Sequence, residues 1–182
     1  MIYILRHGQT DWNKIHKLQG TTDIPLNEEG ILMAEAAKEK YKDLDFDICY
    51  SSPLIRARKT ADIFLEGRNV PIVEDERLKE MSFGIYEGIE NSFDIPDCPV
   101  NVLFKSPEKY KGVEGGETLE DLYKRTGEFL QDIVLPLHKN KKNVLIVGHG
   151  AMNCSIICQL KEIPVKDFCT VMPKNCELIC IN

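Results

Sequence analysis

No apolar stretch of the sequence is long enough to enter a membrane. The first hydrophobic run, Ile2–Leu5, stops at Arg6. A membrane span takes about 20 apolar residues, and a secretory signal needs an apolar core of about 7–15 behind a basic start. Neither is expected, and a cytoplasmic location is. Positive charge is not in excess either. The chain has 23 Lys and Arg against 29 Asp and Glu, a net charge of −6. Nothing in that balance argues for sequence-independent nucleic-acid binding, which needs a basic face. The seven cysteines include no Cys-x-x-Cys pair. Zinc is therefore not expected, and reduced thiols acting as small hydrophobes are. Internal repeats and low-complexity segments are also lacking.

What is present is the make-up of a folded domain, with 43% hydrophobic and 29% charged residues over a length of 182. At roughly 100–200 residues per domain this reads as one unit, residues 1–182. Such a unit buries about 70% of its unfolded surface without staples. The continuous apolar runs Ile2–Leu5, Val144–Val147 and Leu178–Ile181 suit buried strands. Phe46–Tyr50 and Val70–Val73 are weaker strand signals, the latter because it holds Pro71. Asn27 caps an expected helix over about Glu28–Tyr41, with two acids in its first turn. A second helix is expected over about Pro53–Leu65, with Pro53 at its first position. A third starts near Thr118, where apolar residues from Leu119 to Val134 recur at steps of three and four; Pro136 ends or kinks it. A fourth covers about Met152–Leu160, so that Cys154 and Cys158 share a face. Cys176 and Cys180 share a face of the last strand by period-two counting.

Strands alternating with helices predict an α/β fold, a three-layer αβα sandwich around a mostly parallel sheet. Residues 89–117 break the pattern with Pro96, Pro99, Pro107 and Gly112 and show no periodicity. A loop of that length reads as a lid or substrate loop.

Two strand ends carry the candidate chemistry. Arg6-His7-Gly8 follows the first expected strand and His149-Gly150 the fourth. In α/β sheets ligands bind beyond the carboxyl ends of strands, and a glycine after each histidine permits close backbone approach. Two histidines so placed point to a site rather than to two satisfied loop residues. Spacing alone does not single out Arg56 from its neighbour Arg58, nor Glu80 from Glu74, Asp75, Glu76, Glu87 and Glu90. His16 and His138 have no such support; His138, beside Lys139 at a helix end, reads as a surface residue favoured by the helix dipole. Trp12 and Tyr86 read as packing residues.

The stretch Arg6–Asn13, RHGQTDWN, resembles the signature of the histidine phosphatase superfamily in its phosphoglycerate mutase-like branch. The blocks Leu18–Gly30, Ser51–Ala61, Glu76–Gly88, Gly115–Thr118 and Val144–Gly150 follow in the order of that family. The resemblance implies catalytic roles for His7, Glu80, His149, Arg6 and Arg56. His7 is then a nucleophile that becomes a phosphohistidine, and Glu80 the acid that protonates the leaving alcohol and later the base towards water. Arg6, Asn13, Gln19, Arg56 and His149 hold the phosphate. Guanidinium forks match the oxygens of a transferring phosphoryl group, so no metal or cofactor is implied.

Members of this branch are phosphatases or mutases. A mutase needs a second anion anchor. Glu90, Asp94 and Asp97 suggest an acidic rim unsuited to one, and the chain is short between the acid and the last helix. Lys105, Lys109, Lys111 and Arg125 are the basic residues that could fold over the pocket instead. The expectation is a metal-independent phosphatase of small phosphomonoesters. The alternatives are a cofactor-dependent phosphoglycerate mutase and a catalytically silent phospho-ligand binder. The expected partner is a small phosphorylated metabolite, with no nucleic acid and no membrane, and the protein a monomer or homodimer.

Overall fold

Side chains that alternate across two neighbouring strands set the layers of the molecule. The computed structural model describes all residues, 1–182. In chain order its main elements are β1 (Ile2–Arg6), α1 (Asp11–Lys14), α2 (Glu28–Lys40), β2 (Ile48–Ser51), α3 (Ile55–Phe64), β3 (Ile72–Glu74), α4 (Val100–Lys105), α5 (Leu119–Phe129), α6 (Leu135–Lys139), β4 (Val144–Gly148), α7 (Gly150–Leu160) and β5 (Leu178–Ile181). The five strands form one sheet in the order β3-β2-β4-β1-β5. All neighbours are parallel except β5, which runs antiparallel to β1. The expected α/β sandwich with a mostly parallel sheet is the observed fold.

On one face Tyr3, Leu5, Leu145 and Val147 pack with Ala37 of α2 and Ala57, Ala61 and Phe64 of α3. On the other, Ile2, Ile4, Val144 and Ile146 pack with Leu122 and Phe129 of α5 and Met152 and Ile156 of α7. β1 and β4 are thus apolar on both sides, as central strands under two helical layers must be. The capping of α2 follows the sequence: the Asn27 side chain accepts from the Gly30 N–H.

Several local expectations are corrected. Pro53 lies outside α3, which begins at Ile55 after Leu54; the Ser52 hydroxyl accepts from the Leu54 N–H and fixes the turn instead. Pro136 does not end its helix. The chain widens into a π turn over Leu130–Val134, where the Leu135 N–H reaches back to Leu130, and continues as α6. The wider turn accommodates the missing proline N–H. Cys176 precedes β5 in a turn, with φ +56°, and shares no strand face with Cys180. His138 is half-buried, with Nδ1 enclosed and without a partner. Residues 89–117 are not structureless. They hold α4 and short 3-10 turns at Ser92–Asp94 and Pro107–Lys109, and bury Cys98, Val100, Leu103 and Tyr110 in the larger core.

The loop after β1 lies directly across the first turn of α2. A Cβ on Gly30 would run into the Gln9 carbonyl oxygen, and one on Gly8 into that of Gly30. Alanine in place of a helical glycine ordinarily stabilises by roughly 0.5–1 kcal/mol. Here the sign reverses, because backbone rather than a mobile side chain must move. Gly30→Ala is expected to destabilise by about 1–3 kcal/mol, read as a lower denaturant midpoint with an unchanged slope. A stabilised variant would contradict the close approach.

Candidate active site

The pairing of β1 with β4 ends at Arg6 opposite Gly148. The next residue on each strand is His7 and His149, so strand register alone brings the two imidazoles together. Their ring centroids are 5.2 Å apart, and the His7 N–H donates to the Gly148 carbonyl at 2.9 Å. Both residues are buried. His7 Nδ1 pairs with the Gly8 carbonyl at 2.6 Å. A carbonyl only accepts, so the proton sits on Nδ1 and the Nε2 lone pair is free.

Arg56 comes from α3 and is fully buried. It donates to the carbonyls of Gly20 at 2.7 Å and Thr22 at 2.8 Å. Arg6 donates to the Pro173 carbonyl at 2.8 Å. Neither guanidinium forms an ion pair within 4.0 Å of a carboxylate. Arg6 Nε, Arg56 Nε and His149 Nδ1 are all buried without a partner. His149 Nε2 is taken by the Ser52 hydroxyl at 2.8 Å. Asn13 and Gln19 both turn their side-chain oxygens to Thr10, at 3.1 and 3.0 Å, which leaves their amide NH₂ groups unused on the cleft wall. Buried donors without acceptors are costly, and a set of them around one cleft is what an anion satisfies.

Glu80 faces this donor set. Its Oε1 accepts from the N–H groups of Met81 and Met152, each at 2.9 Å, and its Oε2 from Ala151 at 3.2 Å. The carboxylate is thus anchored at the N-terminus of α7, where negative charge is favoured.

Arg6, His7, Asn13, Gln19, Arg56 and Glu80 line a cleft of about 130 Å³. His149 lies beneath it rather than on its open wall. A second groove of about 320 Å³ shares Arg6, Asn13, Lys17, Leu18 and Phe104 with the cleft and continues outward past Phe93 and Asp94. No group of three His, Cys, Asp or Glu side chains is arranged to hold a metal.

Burial pushes His7 well below the ordinary histidine range, and the positive charges of Arg56 and Arg6 push it further. His149 is lowered well below that range in the same way, first by burial and then by Arg56. Both rings are therefore neutral at neutral pH. Burial also draws Arg6 and Arg56 down, with Glu80 acting the other way, but arginine remains charged.

The basic and acidic residues expected at the rim are placed differently. Arg125 lies behind Glu80, paired with Glu117 at 2.7 Å. Lys105 and Lys109 border a separate surface groove, together with Asp97, and Lys111 lines neither the cleft nor the groove that continues it. Glu90 pairs with Lys17 at 3.2 Å. Glu87 turns inward to the N–H groups of Thr21, Thr22 and Phe83, and so steadies the loop whose carbonyls hold Arg56. Of the three acids, Asp94 alone lines the outer groove. Lys17, absent from the expected set, lines both cleft and groove. It lies between Asn13 and Gln19 in sequence, a hint that was available. Ser52 was likewise signalled by its place at the carboxyl end of β2.

A family model described as histidine phosphatase superfamily (branch 1) matches residues 2–182. The chain is 39% identical over 159 residues to an uncharacterised phosphatase, PhoE, of Bacillus subtilis, covering 87% of this chain and 76% of that one. It is 32% identical to a 2,3-bisphosphoglycerate-dependent phosphoglycerate mutase of Cytophaga hutchinsonii, covering 94% and 82%. Among solved structures it resembles the phosphoserine phosphatase of Entamoeba histolytica in complex with 3-phosphoglyceric acid, with a TM-score of 0.81, 29% identity and coverage of 97% and 87%.

The neutral histidine pair has a consequence for stability. Unfolding returns both rings to an ordinary pKa near about 6.5. As pH falls below that value the unfolded chain binds protons that the folded chain does not, so stability falls. The melting temperature in phosphate-free buffer is expected to decline from about pH 7 to about pH 5, and less steeply in His149→Gln. A flat wild-type profile across that window would contradict the buried neutral pair.

Proposed function

Because the chain belongs to the histidine phosphatase superfamily, branch 1, we propose that its cleft hydrolyses small phosphomonoesters through a phosphohistidine on His7. The observation that carries this reading is the free Nε2 of a neutral, buried imidazole beside the buried Arg56 and the half-buried Arg6, neither of which is ion-paired to a carboxylate. A lone pair is available to attack phosphorus, and the cationic groups around it suit the charge on the phosphoryl oxygens.

The proposed cycle has two displacements. His7 Nε2 attacks phosphorus in line with the ester oxygen, the P–O bond breaks, and Glu80 gives its proton to the departing alcohol. Water then attacks the phosphohistidine, Glu80 takes the water's proton, and inorganic phosphate leaves with His7 restored. Arg6, Arg56, Asn13 and Gln19, which line the cleft, hold the phosphoryl oxygens throughout, with His149 buried behind them against His7. Residues 89–117 act as the substrate lid, since Phe93, Asp94 and Phe104 border the groove that leads out of the cleft. No helix is long and apolar enough to cross a membrane, and the seven free cysteines suit a reducing cytoplasm.

The mutase alternative rests on relatives such as that of Cytophaga hutchinsonii. It requires a second anion site beyond the phosphohistidine. In the outer groove the one lysine, Lys17, is already paired with Glu90, and Asp94 opposes an anion. Hydrolysis is therefore the reading the groove favours.

The test is phosphate release from a broad panel of phosphomonoesters in EDTA, with no bisphosphoglycerate added. The wild type is expected to release phosphate, and His7→Ala, purified free of host phosphatase, is not. Arg56→Ala is expected to lose about 10²–10³ in rate. Release by His7→Ala near the wild-type rate would refute the nucleophile, and a loss below about tenfold would remove Arg56 from the phosphate site. Glu80→Gln is expected to lower kcat/KM far more for alkyl phosphates than for p-nitrophenyl phosphate; equal losses would argue against the acid.

A further inference from the structure

Glu80 stands on backbone that belongs to no strand or α-helix. Only a single 3-10 turn, Glu76–Leu78, precedes it. The carbonyls around it consequently lack the partners a ladder would supply, and one side chain on α5 provides several. Arg125 donates through Nη1 to the carbonyls of Arg77 at 2.6 Å and Lys79 at 2.8 Å, and through Nη2 to that of Glu80 at 3.2 Å. The same guanidinium grips Glu117 with both edges of a fork, Nε to Oε1 at 2.7 Å and Nη2 to Oε2 at 2.9 Å.

Glu117 completes the hold from the other side of the segment. Its Oε2 accepts from the Ser82 N–H at 3.0 Å, and its own N–H donates to the Ser82 carbonyl at 2.9 Å. Residues 77–82 are thereby clamped on both sides of Glu80 by one ion pair. Neither Glu117 nor Arg125 lines the cleft. The pair is half-buried, with side-chain exposures of 23% and 19%.

From this geometry we infer that Glu117 and Arg125 are positioning residues for proton transfer by Glu80. The inference rests on the phosphatase reading and deepens it. The clamp fixes the backbone, and α7 fixes the carboxylate through the N–H groups of Ala151 and Met152. The proton can reach the ester oxygen only if both hold together. The nucleophile and the arginines at the phosphate stand on β1 and α3, which the clamp does not touch. Loosening it should therefore impair departure of the alcohol and spare capture of the phosphoryl group.

The experiment compares kcat/KM for an alkyl phosphate, which needs a proton on its leaving oxygen, with that for p-nitrophenyl phosphate, which needs little help. Because kcat/KM stops at the first irreversible step, release of the phosphohistidine does not enter. Arg125→Lys keeps the charge but not the planar fork, and Glu117→Gln keeps the shape but not the charge. General acids contribute about 10²–10⁴ in rate. Each variant is expected to lower the alkyl-to-aryl ratio at least about tenfold, with the aryl rate within about threefold of wild type. In a Glu80→Gln background Arg125→Lys should change the ratio no further. The ratio comes from two rates on one preparation, so partial unfolding cancels. Equal losses on both substrates, or a further fall of the ratio in the Glu80→Gln background, would overturn the inference and leave the phosphatase reading standing. A wild type inactive on both substrates would overturn the reading and the inference together.

Discussion

Everything at the candidate site depends on the parallel pairing of β1 with β4. Its last rung sets Arg6 against Gly148, so that the next residue of each strand is a histidine and the two rings lie 5.2 Å apart. A slip of one residue would turn the apolar sets of one strand to the wrong helical layers. The core and the site are thus fixed by the same register. Ile2, Ile4, Val144 and Ile146 enforce it on one face, and Tyr3, Leu5, Leu145 and Val147 on the other.

Two arginines are then held in a place where charge is costly. Burying a guanidinium is tolerated when its donors are satisfied. Here backbone carbonyls satisfy part of each fork, Gly20 and Thr22 for Arg56 and Pro173 for Arg6, and both Nε atoms are left without a partner. Carbonyls satisfy donors without cancelling charge. The cleft therefore keeps a positive potential for a phosphate dianion, and burial, reinforced by that potential, keeps both imidazoles neutral. Glu80 is held apart from the arginines by the N-terminus of α7. Nucleophile and Arg6 come from the end of β1, Arg56 from α3 and the acid from the segment after β3, and the sheet edge is where these meet.

Much of this was legible from sequence. The apolar runs announced β1 and β4, and the rule that ligands bind at carboxyl ends of strands singled out His7 and His149. Arg56 and Glu80 were not legible from spacing. Arg56 has Arg58 beside it, and Glu80 sits among other acids; only the family register chose them. What decides between such neighbours is tertiary. Arg58 faces solvent and pairs with Asp62 and Glu74, while Arg56 points inward. The rim was misjudged for the same reason, since one sequence stretch sends Glu87 inward, Glu90 to Lys17 and Asp94 to the groove. Pro136 reads as an end or a kink from sequence, because the π turn that carries the helix past it leaves no periodic mark.

The central claim is that His7 carries the phosphoryl group. The most direct measurement is to mix enzyme with p-nitrophenyl phosphate, quench within the first turnover in alkali, and map the modified peptide by mass spectrometry. The account requires phosphate on His7, stable in alkali and lost in acid. An active enzyme with phosphate on no histidine, or on a histidine other than His7, would contradict it.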